Sequence, residues 1–326
     1  MVNELLFLLS FLMLFYGGEL LVKSSIHIAL RMQISTLVVG MTVVSFATSS
    51  PELFVSIQSA VFQDVTDITF GSVIGSNIAN ITLVLGLTAM VFKINVARSI
   101  LMLNFPFMFL SSVLLGLVVY MNDSEIDRLS GIVFVVILSL FILLIIKSSR
   151  RKNMISHKDE GSIKPESNYP PFYVSVVYMI IGVLLLYFGS RFLVDGVQEI
   201  AGHFNIPESI ISVSLVAIGT SVPELATSLV AAFRKETDLA LGNLIGSNIF
   251  NVLAVLGITS IIKPIRLTEG SILSINDHPL IVDYFWMILS VLLLAVILYI
   301  TSKHVITRIE GLVLLLFYIF FLISLI

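Results

Sequence analysis

Four short stretches of this sequence concentrate the side chains that could hold an ion: SFATSSPE (Ser45 to Glu52), GSNIAN (Gly75 to Asn80), AIGTSVPE (Ala217 to Glu224) and GSNIFN (Gly246 to Asn251). Hydroxyls, amides, carboxylates and free backbone carbonyls are hard oxygen donors, suited to Ca²⁺, Na⁺ and Mg²⁺ and poorly suited to soft transition metals. The histidines, His27, His157, His203, His278 and His304, all lie outside these stretches, and the chain has no cysteine. Zinc, iron and thiol chemistry are therefore not expected. Ser76 and Asn80, like Ser247 and Asn251, are four residues apart and share a helix face. Pro51 and Pro223 immediately precede Glu52 and Glu224. A proline within a helix removes one backbone hydrogen bond and crowds the carbonyl four residues back. Carbonyls near Ser45 to Thr48 and Ala217 to Thr220 are thereby expected to be free for a cation.

The elements that must position these residues follow from composition. Of 326 residues, 57% are hydrophobic and only 12% charged, with a mean hydropathy of +1.06. A soluble domain carries about 25% charged residues, so the solvent of this chain is a lipid bilayer. Apolar stretches fall at about 3–30, 35–60, 70–91, 100–120, 129–146, 172–200, 207–232, 238–261, 284–301 and 309–326. Each approaches the roughly 20 residues that a spanning helix needs, which predicts ten transmembrane helices. The first stretch, beginning at Leu5, has no basic segment before it and no small-residue cleavage site after it, so it reads as a span and not a secretory signal. A net charge of −3 gives no reason to expect a nucleic-acid partner, and nothing points to a cofactor or an obligate protein partner.

The chain repeats itself. YGGELLVKSS (Tyr16 to Ser25) lies over FGSRFLVDGV (Phe188 to Val197), and the offset of 172 holds without a gap through Glu52 over Glu224. One residue is then lost, and GSVIGSNIANITLVLG (Gly71 to Gly86) lies over GNLIGSNIFNVLAVLG (Gly242 to Gly257). The polar stretch Lys147 to Pro171 separates the copies, giving 1–146, a linker at 147–171, and 172–326. Five spans per copy is an odd number, so the second copy enters the membrane from the opposite side, as in the inverted repeats of secondary transporters. The fold expected is an all-α polytopic membrane protein of two inverted five-helix repeats, with discontinuous helices around a central site. All lysines and arginines except Arg128, Arg191, Lys263 and Arg266 fall at one set of alternate loops. The positive-inside rule then predicts a plasma-membrane protein with both termini outside and the linker in the cytoplasm.

Glu52 and Glu224 lie near mid-span, where a carboxylate costs at least about 2.5 kcal/mol and is functional by default. Two of them in register across the repeat make a structural accident a poor explanation. The GxxxG pairs Gly71 with Gly75 and Gly242 with Gly246 predict close helix packing that would bring the polar faces together.

At these residues the chain resembles the sodium/calcium exchanger family, prokaryotic type, within the cation/calcium antiporter superfamily. GTSVPE followed by GSNIFN is close to a signature, and SFATSSPE with GSNIAN is its first-repeat partner. The resemblance implies ten helices with spans two, three, seven and eight forming the ion site, Glu52 and Glu224 as shared Ca²⁺ and Na⁺ ligands, and further ligands among Thr48, Thr220, Ser49, Ser221, Ser76 and Ser247. It also implies that the carbonyls of Ser45 and Ala217 contribute, with Asn80 and Asn251 at the centre. Asn251 stands where many relatives carry aspartate, which implies independence from K⁺. Ser45 and Ala47 stand where alanine and glycine are usual, small changes beside a backbone ligand.

With both glutamates ionised, the site holds a charge of −2, which one Ca²⁺ or two Na⁺ would neutralise. Because isolated charge in a low-dielectric interior is expensive, an empty site should resist reorientation, and obligatory exchange follows. A third Na⁺, which the resemblance implies, makes the exchange electrogenic. The expected function is Na⁺/Ca²⁺ antiport by alternating access, extruding Ca²⁺, with spans one and six moving against the rest, and with protons competing for the glutamates. The alternative is a Ca²⁺ or other divalent cation/H⁺ antiporter. A channel fits poorly because there is no pore loop, and an intramembrane enzyme because there is no HExxH motif and no nucleophile with a histidine base.

Overall fold

In the computed structural model the described residues are 2–63, 66–159, 170–203, 208–267, 279–301 and 304–324. Side chains are described in these ranges except at 2–5, 62, 63, 66–68, 152–159, 200–203, 208–218, 220 and 279–281. The centre of the expected linker, 160–169, lies outside them. Among the described residues ten helical runs follow in order: α1 (Val2–Met32), α2 (36–63), α3 (66–91), α4 (100–121), α5 (Arg128–Asp159), α6 (Phe172–His203), α7 (Glu208–Phe233), α8 (237–262), α9 (279–301) and α10 (Arg308–Ser324). A helix satisfies its own backbone, which lipid cannot do, so long apolar runs settle into helices. The sequence places the end of α5 near residue 146, but the helix runs on through KSSRRK to Asp159. Hydropathy marks where a chain leaves the membrane, and a helix need not stop there.

Helices α3 and α8 form the centre, with 78% and 83% of their apolar windows buried, against 22% for α6. Around them the copies interlock. Gly86 of α3 abuts Gly311 of α10, where a Cβ on Gly311 would lie 2.8 Å from the Gly86 carbonyl oxygen. In the other pair a Cβ on Gly131 of α5 would lie 2.6 Å from the Gly257 carbonyl oxygen of α8. The last helix of each copy therefore packs on the third helix of the other. Two short ribbons repeat this exchange. Strand β1 (Ile94–Asn95) pairs antiparallel with β4 (Val305–Ile306), and β2 (Glu125–Ile126) with β3 (Ile265–Arg266). Helices α1 and α6 cross antiparallel at Gly17 and Gly182, a Cβ on either being 2.9 Å from the other's carbonyl oxygen.

Helix starts are fixed locally. Thr307 and Glu310 form a capping box at α10, the Thr307 amide donating to Glu310 Oε2 at 2.6 Å. Asp127 caps α5, its Oδ1 accepting from the Ser130 amide at 2.9 Å and from Asn122 Nδ2 at 3.4 Å. The bonds from Ser130 hold the Asp127 carboxyl below the usual carboxylate range. A depressed folded-state value gives stability that is complete above the ordinary aspartate range and is lost as pH falls through the folded value. Asp127→Ala should therefore cost about 1 kcal/mol at neutral pH. The melting-temperature gap to wild type should be constant above about pH 5 and close in stronger acid; a gap that widens in acid would refute the capping role.

Candidate cation site

Helix α2 is broken where the chemistry lies. Ser49 leaves the helical region, with φ −88° and ψ 4°, and a new helical segment, Ser50–Gln58, starts with Pro51 and Glu52 in its first turn. Proline is tolerated at such a start because its fixed φ suits the first turn of a helix, and the free amides there favour a carboxylate. In the second copy Pro223 lies inside α7, whose helix assignment continues through it. Both α3 and α8 widen into a π-turn beginning at the same repeat position, at Asn80–Val84 and Asn251–Leu256. π-turns of this kind often mark functional positions in helices.

The two copies meet face to face at these irregularities. Glu52 and Glu224 are 1% and 0% exposed. Glu224 Oε1 accepts from Ser49 Oγ of the other copy at 3.2 Å and from Ser247 Oγ at 3.4 Å. Thr48 Oγ1 lies 3.4 Å from Ser247 Oγ and donates to Asn243 Oδ1 at 3.2 Å. Ser45 Oγ bonds the carbonyl oxygens of Gly40 at 2.6 Å and Asn243 at 3.1 Å. The Ser45 carbonyl is occupied, accepting the Ser49 amide at 2.9 Å, so the loss of an amide at Pro51 bears on the Ala47 carbonyl, four residues back. Asn251 Nδ2 donates to Asn77 Oδ1 at 3.1 Å, again across the copies. Ser76 is fully buried. Ala217 and Thr220 lie on the helical backbone of α7, and their side chains are outside the described residues.

Buried polar atoms are normally paired, and here many are not. Both Glu52 oxygens, Glu224 Oε2, both side-chain polar atoms of Asn80, Asn251 Oδ1 and Ser221 Oγ have no hydrogen-bond partner. Three carboxylate oxygens, two amide oxygens, one amide nitrogen and a hydroxyl without partners, away from water, are costly unless a cation balances them. The donor set is all oxygen with one amide nitrogen, which fits Na⁺ or Ca²⁺. A cavity of about 310 Å³ reaches Pro51 and Pro223, the neighbours of both acids, between α6, α2 and α7.

The model of the family described as sodium/calcium exchanger protein matches residues 3–147 and 174–326. The chain belongs to the sodium/calcium exchanger family. The exchanger is 36% identical over 267 residues to the putative antiporter CaxA of Alkalimonas amylolytica, covering 81% of this chain and 82% of that one. It is 28% identical to the sodium/calcium exchanger MaX1 of Methanosarcina acetivorans, over 99% and 98% of the two chains. Among solved structures it superposes on the sodium-calcium exchanger NCX_Mj soaked with 2.5 mM Na⁺ and 0.1 mM Ca²⁺, with a TM-score of 0.80, 29% identity, and coverage of 100% and 99%.

Three polar residues of this exchanger's centre escape a reading of the motifs alone. Asn77 and Asn248 fill the third position of each GSN, and Asn77 Nδ2 reaches the Asn248 carbonyl at 3.4 Å. Their matching positions in the repeat were the available signal. Asn243 holds Thr48, but its counterpart in the first copy is Ser72, so register alone gave it no weight.

Proposed function

We propose that Glu52 and Glu224 are the shared cation ligands of this protein, which is a secondary active Na⁺/Ca²⁺ antiporter working by alternating access. The observation that carries the assignment is the pair of buried carboxylates, one from each copy, of whose four oxygens three have no partner. Thr48, Ser49, Ser221, Ser76, Ser247, Thr220 and the amides of Asn80 and Asn251 complete the shell, with the carbonyls of Ser45, which already accepts the Ser49 amide, and of Ala217 as its backbone members. A relative named as a sodium/calcium exchanger and a solved exchanger studied with Na⁺ and Ca²⁺ support the choice of ions. Two fixed acids make the site −2. One Ca²⁺ cancels this charge, and three Na⁺ leave +1, so exchange is electrogenic. Asn251 is neutral and bonded to Asn77, which supports a cycle without K⁺.

The domain plan is two five-helix repeats, 1–146 and 172–326, joined by the 147–171 linker. Orientation rests on the basic residues, with termini outside and linker in the cytoplasm. The ribbons fit the alternation of loops between two sides: β1 beside Lys93 pairs with β4 beside Arg308, and β2 beside Arg128 pairs with β3 at Arg266, each pairing joining loops that the alternation puts together.

The test is ⁴⁵Ca²⁺ uptake into Na⁺-loaded proteoliposomes, with outward Na⁺, outward K⁺ or a pH gradient as the driving force. Uptake should follow the Na⁺ gradient, speed up when the vesicle interior is made positive, and be at least about 10-fold smaller with K⁺ or protons. Uptake driven by the pH gradient alone would make the protein a Ca²⁺/H⁺ antiporter instead.

A further inference from the structure

The two copies carry the same helix faces, but the structure treats them differently. The cavity of about 310 Å³ is lined on α6 by Tyr187, Arg191, Val194 and Asp195, facing Pro51 and Val55 of α2 and Pro223 of α7. The repeat offset of 172 maps this face onto Phe15, Glu19, Val22 and Lys23 of α1, facing Pro223 and Thr227 of α7 and Pro51 of α2. At its centre that second face is shut. Val22 is 0% and Thr227 1% exposed, whereas Val55, over which Thr227 lies, is 40% exposed. A Cβ on Gly18 would sit 3.1 Å from Val230 Cγ2 and 3.3 Å from the Ala226 carbonyl oxygen, so α1 rests directly on α7.

At the rim of the shut face there is an ion-paired cluster. Arg234, just beyond the end of α7, donates from Nε to Glu19 Oε2 at 2.7 Å and from its second nitrogen to Oε1, a bidentate pair. Lys23, one turn along α1, lies 3.1 Å from Glu19 Oε1. The matched positions of the open face carry different charges. Arg191 stands in the place of Glu19 and Asp195 in that of Lys23, a reversal of sign, and the residue matching Arg234 is Phe62 or Gln63, neither charged.

Alternating access in inverted-repeat transporters rocks one bundle against the other about the central site, opening one side as the other closes. Opening the α1–α7 face must then break the pair between Glu19 and Arg234, and the positions of the α6 face that match Glu19 and Arg234 do not carry a pair of opposite charges. We propose that Glu19 and Arg234 are positioning residues of the exchange cycle: a one-sided latch that holds the α1–α7 face closed while the α6 cavity is open. The latch touches neither ion. It biases which side of the membrane the central site sees, and on the orientation proposed above it holds the cytoplasmic side closed. This inference rests on alternating access and adds the residues that weight its two states.

The chain has no cysteine, so single reporters can be placed without background. Val194→Cys reports the open face and Val22→Cys its shut counterpart, each read as the labelling rate with a water-soluble maleimide on the full chain in Na⁺. Adding Arg234→Gln should raise labelling at 22 several-fold and lower it at 194. Glu19→Gln should do the same from the other partner. The charge-swapped double variant, Glu19→Arg with Arg234→Glu, should return both rates toward wild type, which a merely structural role would not do. In Ca²⁺ uptake, half-saturating concentrations on the two sides of the membrane should shift in opposite directions, with the maximal rate less affected. Unchanged rates in both single variants, rates rising together at 22 and 194, or no rescue by the swap would each overturn the latch. Wild-type uptake driven by Na⁺ is measured in parallel. If it is absent the antiport reading fails, and if it is present with unmoved labels only the latch fails.

Discussion

Glu52→Gln or Glu224→Gln should reduce Na⁺-driven Ca²⁺ uptake by at least about 100-fold while leaving the protein folded. Each change keeps the shape of the side chain and removes one of two negative charges from a site without water contact, both residues being at most 1% exposed. A Ca²⁺ entering the variant would leave one positive charge uncompensated in the interior. Breaking a buried charge pairing costs about 3–5 kcal/mol, and each 1.4 kcal/mol is a factor of ten in affinity. The same argument sets the sign of a second readout. In the absence of Na⁺ and Ca²⁺ the wild-type site holds unpaired carboxylate oxygens, so the glutamine variants should melt higher than wild type under those conditions. Added Ca²⁺ should raise the wild-type melting temperature through binding to the folded state and leave the variants unmoved. Uptake above a tenth of wild type, or a full Ca²⁺-induced stabilisation of both variants, would remove these residues from the ligand set. The two variants should also differ. Glu224 already accepts from Ser49 and Ser247, and a glutamine carbonyl can still do so. Glu52 has no such partners, so its replacement disturbs only the binding of ions.

How much of this was legible in the sequence depends on what kind of signal each feature leaves. The motifs were legible because polar residues in an apolar chain are conspicuous, and the repeat was legible because Glu52, Pro51 and the GSN triplets keep register across gap-free stretches. The exchange of last helices was not. Lipid-facing helices such as α5 and α10 are apolar on every side, and an apolar surface does not name its neighbour; Gly131 and Gly311 look like any other helical glycines until Gly257 and Gly86 are seen against them. The ribbons are two residues long, too short for any alternation to show. Proline 51 correctly marked a broken helix, yet the break itself is at Ser49. Proline 223, in the equivalent place, sits within a helix whose assignment runs through it. A local rule about proline fixes which hydrogen bond is lost, and tertiary packing decides whether the chain bends, breaks or absorbs the loss.

Gly246→Ala should abolish most transport, although it adds one methyl group and touches neither acid. A Cβ on Gly246 would fall 2.1 Å from Ser45 Oγ, 2.7 Å from Met41 Cα and 2.8 Å from the Met41 carbonyl oxygen. Two of these atoms are backbone of α2, which cannot rotate aside, so α2 and α8 must separate. The Ser45 hydroxyl, fixed between the Gly40 and Asn243 carbonyls, is displaced with them. The contacts of Thr48 with Asn243 and Ser247, already 3.2 and 3.4 Å long, are then lost. Overpacking of this kind costs about 1–3 kcal/mol, and a misplacement of about 1 Å in a positioned site can cost roughly 100-fold in rate. Gly219→Ala is the matched control. Its added Cβ would meet Val194 Cγ2 at 2.7 Å, a methyl that can turn into the adjoining cavity, and the next atoms lie at 3.9 Å. The first copy already carries alanine at the equivalent place, Ala47. Uptake by the Gly219 variant should stay within about threefold of wild type, and that by the Gly246 variant should fall at least 10-fold. Equal loss in both would mean that the motif glycines serve only folding. Full activity of the Gly246 variant would mean that the α2–α8 seam does not set the geometry of the site.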